Sequence, residues 1–76
     1  METIKLGDLV KTLVEKTFKE EGSEDYTIPK GTIGVACDIM FDKGGLFVDF
    51  WGRVSLPEGA TGVGGYDFDE IELVER

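Results

Sequence analysis

Glycine occupies eleven of this chain's 76 positions. At that frequency the backbone turns often and tightly, which suits short strands better than a bundle of long helices. The segment Tyr26-Thr-Ile-Pro-Lys-Gly-Thr-Ile-Gly-Val-Ala-Cys-Asp-Ile39 shows the pattern most clearly. Pro29 cannot donate to a strand ladder and Gly31 admits positive φ, so Pro-Lys-Gly reads as a turn that launches a strand over Thr32–Met40. Within that strand Gly34 marks a bend or a close backbone approach. Phe41-Asp-Lys-Gly-Gly45 has the length and glycine content of a hairpin connector, and Leu46-Phe-Val-Asp-Phe-Trp51 is rich in strand formers. Together they predict a β-hairpin.

Downstream, Gly52–Gly65 holds Pro57 and five glycines and reads as a loop, with at most a brief strand at Arg53–Leu56. The end of the chain predicts a single turn around Asp67–Glu70 and a short strand, Ile71–Val74. The first third supports two readings. Leu6, Leu9, Val10, Leu13, Val14 and Phe18 recur at helical spacing, Asp8 is placed to cap, Gly22 to stop, and Lys11/Glu15, Glu15/Lys19 and Lys16/Glu20 are i,i+4 pairs. Against a helix, Thr12 and Thr17 are β-branched, and an alternating reading puts Val10, Thr12 and Val14 on one face. Local periodicity alone favours the helix.

A chain of this length makes one domain, 1–76, with a small core. One cysteine, Cys37, forbids an internal disulfide, and with no histidine no Cys/His metal spacing exists. The start, METIKLGD, lacks the basic and apolar regions of a secretory signal, and no run approaches the apolar length of a membrane span; the expected location is the cytoplasm. Sixteen acids against eight bases give a net charge of −8, which disfavours phosphate backbones and anionic membranes. The imbalance lies in the C-terminal half, where residues 46–76 hold seven acids against Arg53 and Arg76.

Gly7-Asp8-Leu9-Val10, Ile28-Pro-Lys-Gly-Thr-Ile-Gly34, Phe47-Val-Asp-Phe50 and Asp69-Glu-Ile-Glu-Leu73 occur in an order that resembles the strand order of small SH3-like barrels. In that resemblance Gly-Asp-x-Val opens the first strand, Lys-Gly-x-x-Gly enters the second, Val-x-Phe is the third, and Asp-Glu-Ile-Glu-Leu closes the barrel. The layout is similar to uncharacterised bacterial small-barrel families and to the SH3-like accessory subunits of photosystem I and ferredoxin–thioredoxin reductase. It spans nearly the whole chain, but its motifs encode turns and so imply fold more than function. The implied architecture is all-β, a five-stranded barrel with a long first loop over Glu15–Tyr26. The alternative is α+β, with a helix at about 8–21 packed on the hairpin sheet.

No catalytic, cofactor or metal site is expected. Asp67, Asp69, Glu70, Glu72 and Glu75 offer oxygen ligands but lack the glycine of a calcium loop, and alternation puts Ile71 and Leu73 inward, so they read as a solvated edge. Gly59-Ala-Thr-Gly-Val-Gly-Gly65 lacks the helix N-terminus and lysine of a phosphate loop. Cys37 stands beside Asp38, which raises a thiol pKa, and has no base to activate it. Asp38 and Asp49 would meet across the hairpin, yet two acids without a pocket do no acid–base work.

The aromatics carry the functional expectation. With Val48 and Phe50 inward, Phe47, Asp49 and Trp51 point out, and Tyr66 comes close to them at the surface. The competing reading is that Trp51 and Tyr66 cover a minor core under the first loop. The leading expectation is a non-catalytic protein-interaction module or small accessory subunit, anchored by Phe47, Trp51 and Tyr66 and using Asp67, Asp69, Glu70 and Glu72 against a basic or mixed partner. Two alternatives are an acidic inhibitor or nucleic-acid mimic of the phage or defence-related kind, blocking a basic groove, and a nucleic-acid-binding barrel relying on Lys5, Lys11, Lys16 and Lys19.

Overall fold

A computed structural model describes residues 3–75; Met1, Glu2, Arg76 and the Glu75 side chain lie outside what it describes. The chain is all-β. Its strands are β1 (Leu9–Thr12), β2 (Lys16–Phe18), β3 (Tyr26–Ile28), β4 (Ile33–Met40), β5 (Gly45–Asp49), β6 (Val63–Asp67) and β7 (Ile71–Glu75). Two 3₁₀ turns, Phe41–Lys43 and Phe68–Glu70, follow β4 and β6. Five strands form one antiparallel sheet in the order β6-β5-β4-β1-β7, and β2 and β3 form a separate hairpin. Among the described residues no helix is long and apolar enough to cross a membrane.

The helical periodicity at the N-terminus gives way to long-range pairing. β1 sits between β4 and β7, so its backbone finds partners on both sides, and tertiary contacts of that kind override a weak local preference. Val10 and Thr12 face the core while Leu9 and Lys11 are only half-buried and Leu13 is exposed, which is strand alternation rather than a helical stripe. Asp8 accepts the Lys5 N–H at 2.8 Å, closing a turn before β1 instead of capping a helix. Thr12 stitches the strand to the Pro-Lys-Gly turn, its hydroxyl donating to the Pro29 carbonyl (3.0 Å) and accepting the Thr32 N–H (3.1 Å).

The expected hairpin is β4–β5, with Ala36 opposite Val48 and Ile39 opposite Leu46. Asp49 lies opposite Val35, and after a register shift between Ala36 and Asp38, Asp38 lies opposite Phe47; the expected pairing of Asp38 with Asp49 does not form. Two corrections concern the glycine-rich stretch. Arg53–Leu56 is turn and coil, and the strand lies later, at Val63-Gly-Gly-Tyr-Asp67. Those glycines leave space: a β-carbon at Gly64 would run into the Phe18 ring, and one at Gly65 would sit 3.3 Å from the Phe47 ring.

The first loop, expected to be irregular, contains the β2–β3 hairpin, which lies over one end of the core. Lys16 Nζ fastens it by donating to the Gly65 carbonyl (3.1 Å) and Glu70 Oε1 (2.8 Å), and Phe18 packs edge-on to Tyr66. At the far end, Glu20 accepts the Tyr26 hydroxyl (2.6 Å) and the Thr61 hydroxyl (2.7 Å), tying the hairpin to the loop before β6. Those bonds, Tyr26 first, hold the Glu20 carboxyl below its ordinary range, while burial and then Glu20 push the Tyr26 phenol up to about 12.

A depressed carboxyl stabilises the fold above its unfolded pKa, and the effect is lost as pH falls through the folded value; a raised phenol stabilises below its unfolded pKa of 10, and the effect is lost as pH rises toward the folded value. Thermal unfolding of Glu20→Gln is therefore expected to give a lower Tm at neutral pH and a shallower loss of Tm between about pH 5 and about pH 3 than the parent chain. Parallel profiles for the two proteins would show that the latch contributes nothing.

Candidate interaction surfaces

The sequence-predicted residues divide between the two ends of the β5–β6 ladder. Gly45 pairs with Asp67 at one end and Asp49 with Val63 at the other, a span of about 13 Å at the usual strand rise. Asp67, Asp69 and Glu70 belong to the first end. Trp51 leaves β5 two residues past the second. The expected single surface combining Trp51 with the acidic tail is therefore divided into two.

Tyr66 belongs to neither. It is 3% exposed, beneath Phe18 and edge-on to Phe50, with centroids 5.6 and 6.0 Å away. Its expected role as a surface anchor is corrected: one residue further along β6 than Gly65, it faces inward with Gly64. The minor-core reading is corrected as well: Tyr66 belongs to the main core with Leu46, Val48 and Phe50, and Trp51 lies outside any core. The Tyr66 hydroxyl has no hydrogen-bond partner, and burial raises its pKa, so it stays a neutral phenol. Phe47 is half-buried on the outer face, across Gly65.

At the acidic end, the two 3₁₀ turns are joined where the Phe68 N–H donates to the Gly44 carbonyl at 3.0 Å. That bond holds the Phe68 ring 6.0 Å from the ring of Phe41, yet Phe41 remains 66% exposed. Exposed Asp42, Asp67 and Asp69 flank the pair in sequence, with Lys43 the base of the same turns. Glu70 and Glu72 are engaged otherwise. Glu70 Oε1 accepts both Lys16 Nζ and the Asp67 N–H at 2.8 Å, which depress its carboxyl, and Glu72 pairs with Lys11 at 3.4 Å. Sequence reading passed over Phe41 as part of a connector; an aromatic ring beside Asp42 in a polar turn was the available signal.

At the opposite end the backbone displays Trp51. Phe50, wholly buried, fixes the base of the turn, and its N–H donates to the Gly62 carbonyl (2.7 Å). The Trp51 N–H donates to Asp49 Oδ1 (2.8 Å) and the Arg53 N–H to the Phe50 carbonyl (2.9 Å). Gly52 takes φ +78°, open to glycine at little cost. Trp51 is 68% exposed. Next to it runs an open groove of about 700 Å³ between Thr27–Ile33 and Gly52–Ser55.

Cys37 is exposed at the β4 irregularity, and burial, then Asp49 and Asp38, push its thiol upward, away from the thiolate. Among the described residues no three His, Cys, Asp or Glu side chains are grouped to hold a metal ion.

No protein-family model, curated protein or solved structure matches this chain.

Proposed function

We propose that the chain is a non-catalytic interaction module or small accessory subunit, docking a basic or mixed-charge partner on the Phe41–Phe68 platform. The observation that carries this reading is Phe41 itself, an aromatic ring two-thirds exposed although it packs on Phe68, bordered by Asp42, Asp67 and Asp69. An aromatic anchor with a charged rim supplies apolar burial at the centre and steering at the edge. The strand order, with a hairpin inserted after β1 and a 3₁₀ turn before β7, supports the resemblance to SH3-like small barrels, whose accessory-subunit members share this reading. Glu20, Glu70 and Glu72 are occupied by internal partners, which weighs against a nucleic-acid mimic. Lys11 and Lys16 are tied to Glu72 and Glu70, which weighs against a nucleic-acid stripe.

Affinity capture from the native host tests it. Phe41→Ala is expected to reduce recovery of the main bound protein by about tenfold or more, as truncation of an anchor does, while Asp67→Asn with Asp69→Asn makes recovery fall and less sensitive to salt. Equal capture by the parent and Phe41→Ala, or a complex that salt alone dissolves regardless of Phe41, overturns the proposal.

A further inference from the structure

The groove beside Trp51 has a charge character opposite to the rest of the molecule. The chain has twice as many acids as bases, yet the groove is lined by Thr27, Pro29, Thr32, Ile33, Arg53, Val54 and neighbouring small residues, with no acid among them. Lys30 stands in the exposed turn between Pro29 and Thr32. Among the described residues neither Arg53 nor Lys30 is in an ion pair, although Lys11 and Lys16 both are. The nearby Asp49 has one carboxylate oxygen taken up by the Trp51 N–H. The next cleft, between Gly22–Glu24 and Pro57–Gly59, carries two glutamates and no base, so the local reversal belongs to this groove.

From these features we infer that the groove is a second docking site, taking an extended segment of a partner protein in which a carboxylate stands beside an apolar side chain. Arg53, which lines the groove, meets the carboxylate, and Lys30 in the adjoining turn adds attraction at longer range. Pro29, Ile33 and Val54 supply apolar floor and Thr27, Thr32 and Ser55 supply hydroxyls; Trp51 directly precedes the lining residue Gly52 on a turn held by three hydrogen bonds, so little ordering is needed on binding. The groove is open along its length, which suits a passing segment better than a small molecule that needs enclosure. A nucleic acid fits less well: its many phosphates would experience the whole −8 field, whereas one or two carboxylates meet mainly the local cations. With the acidic Phe41–Phe68 platform at the other end of β5, the domain would connect two partners of opposite charge.

Trp51 is the only tryptophan and is bonded to the lining residue Gly52, so its fluorescence serves as a nearby reporter. The probe is the capped peptide Ac-Leu-Asp-Leu-Glu-Leu-NH₂, compared with its Asn/Gln and Lys/Lys counterparts and with a short oligothymidylate, at low salt. The acidic peptide is expected to blue-shift the emission with a Kd on the order of 0.1–1 mM, and Arg53→Glu to weaken it by about fivefold or more. Amide-proton shifts should be confined to 27–33 and 50–55, and Phe41→Ala should bind equally well, which separates this result from the fate of the first platform. No response to the acidic peptide, an equal response to the Lys/Lys peptide, or tighter binding of the oligothymidylate overturns the inference. So does concentration-dependent self-association abolished by Arg53→Glu, which would assign the groove to a second copy of this chain.

Discussion

Phe50→Ala is expected to remove a large share of the stability of the fold. The ring is wholly buried, packs edge-on to Tyr66 with centroids 6.0 Å apart, and occupies the space left by the missing side chain of Gly34. Truncating a buried phenylalanine costs about 3–5 kcal/mol, because the surroundings relax only partly into the cavity. A domain of 76 residues has a total stability of only about 4–11 kcal/mol. Phe50 also closes the turn that presents Trp51, through its N–H to Gly62 and its carbonyl to Arg53, so the cavity opens directly beneath a proposed docking surface. Urea unfolding should show the midpoint falling by about a quarter or more with little change in slope. Phe41→Ala is the control, since an exposed ring costs within about 0.5 kcal/mol when removed. A loss below about 1 kcal/mol for Phe50→Ala would place the centre of the core elsewhere.

What could be read in advance follows from which forces are local. The β4–β5 hairpin was legible because Pro29, Gly31 and the run from Ile33 state their conformations within a few residues, and the 3₁₀ turn before β7 for the same reason. β1 was ambiguous because its conformation is settled by β4 and β7, far away in sequence, while its helical spacing is local and unused. β2 and β3 are separated by a charged segment that masks their pairing; the local traces are the strand formers Thr17-Phe18 and Tyr26-Thr-Ile28, and Thr17 and Thr27 share a hydroxyl hydrogen bond of 2.8 Å across the hairpin. β6 was hidden by its glycines, which read as flexibility when their role is to admit the rings of Phe18 and Phe47. The surfaces divided likewise. Trp51 was expected outside by alternation from Phe50 and is outside, whereas Tyr66 could be placed only by knowing that Phe18 covers it.

Gly34 and Gly64 look alike in sequence, single glycines within strands, but their alanine variants are expected to fail differently. A β-carbon at Gly34 would sit 2.5 Å from Val48 Cγ1 and 2.9 Å from two carbons of the Phe50 ring. Val48 and Phe50 are both wholly buried, so neither can retreat, and strain spreads through the central sheet. Overpacking of this kind costs about 1–3 kcal/mol, read as a lower urea midpoint for the whole domain. At Gly64 the obstacle is the Phe18 ring, which is half-buried and carried by β2, outside the five-stranded sheet. The β2 arm of that hairpin can lift, although β3 keeps Tyr26 and Ile28 in the core. Gly64→Ala should therefore leave the sheet's slowest-exchanging amides protected while speeding exchange in β2 and β3 and weakening the contacts of Lys16 and Glu20 that hold them down. Phe18→Leu in the same chain should restore much of that protection, because the two sites share one volume and their effects do not add. The Phe41–Phe68 platform lies outside the β2–β3 ladder, whereas the groove beside Trp51 is lined by Thr27 of β3, so Gly64→Ala should weaken peptide binding at the groove and spare capture on the platform. If Gly64→Ala instead lowers the global midpoint as much as Gly34→Ala and Phe18→Leu rescues nothing, the hairpin is an integral part of the core rather than a cover laid across it.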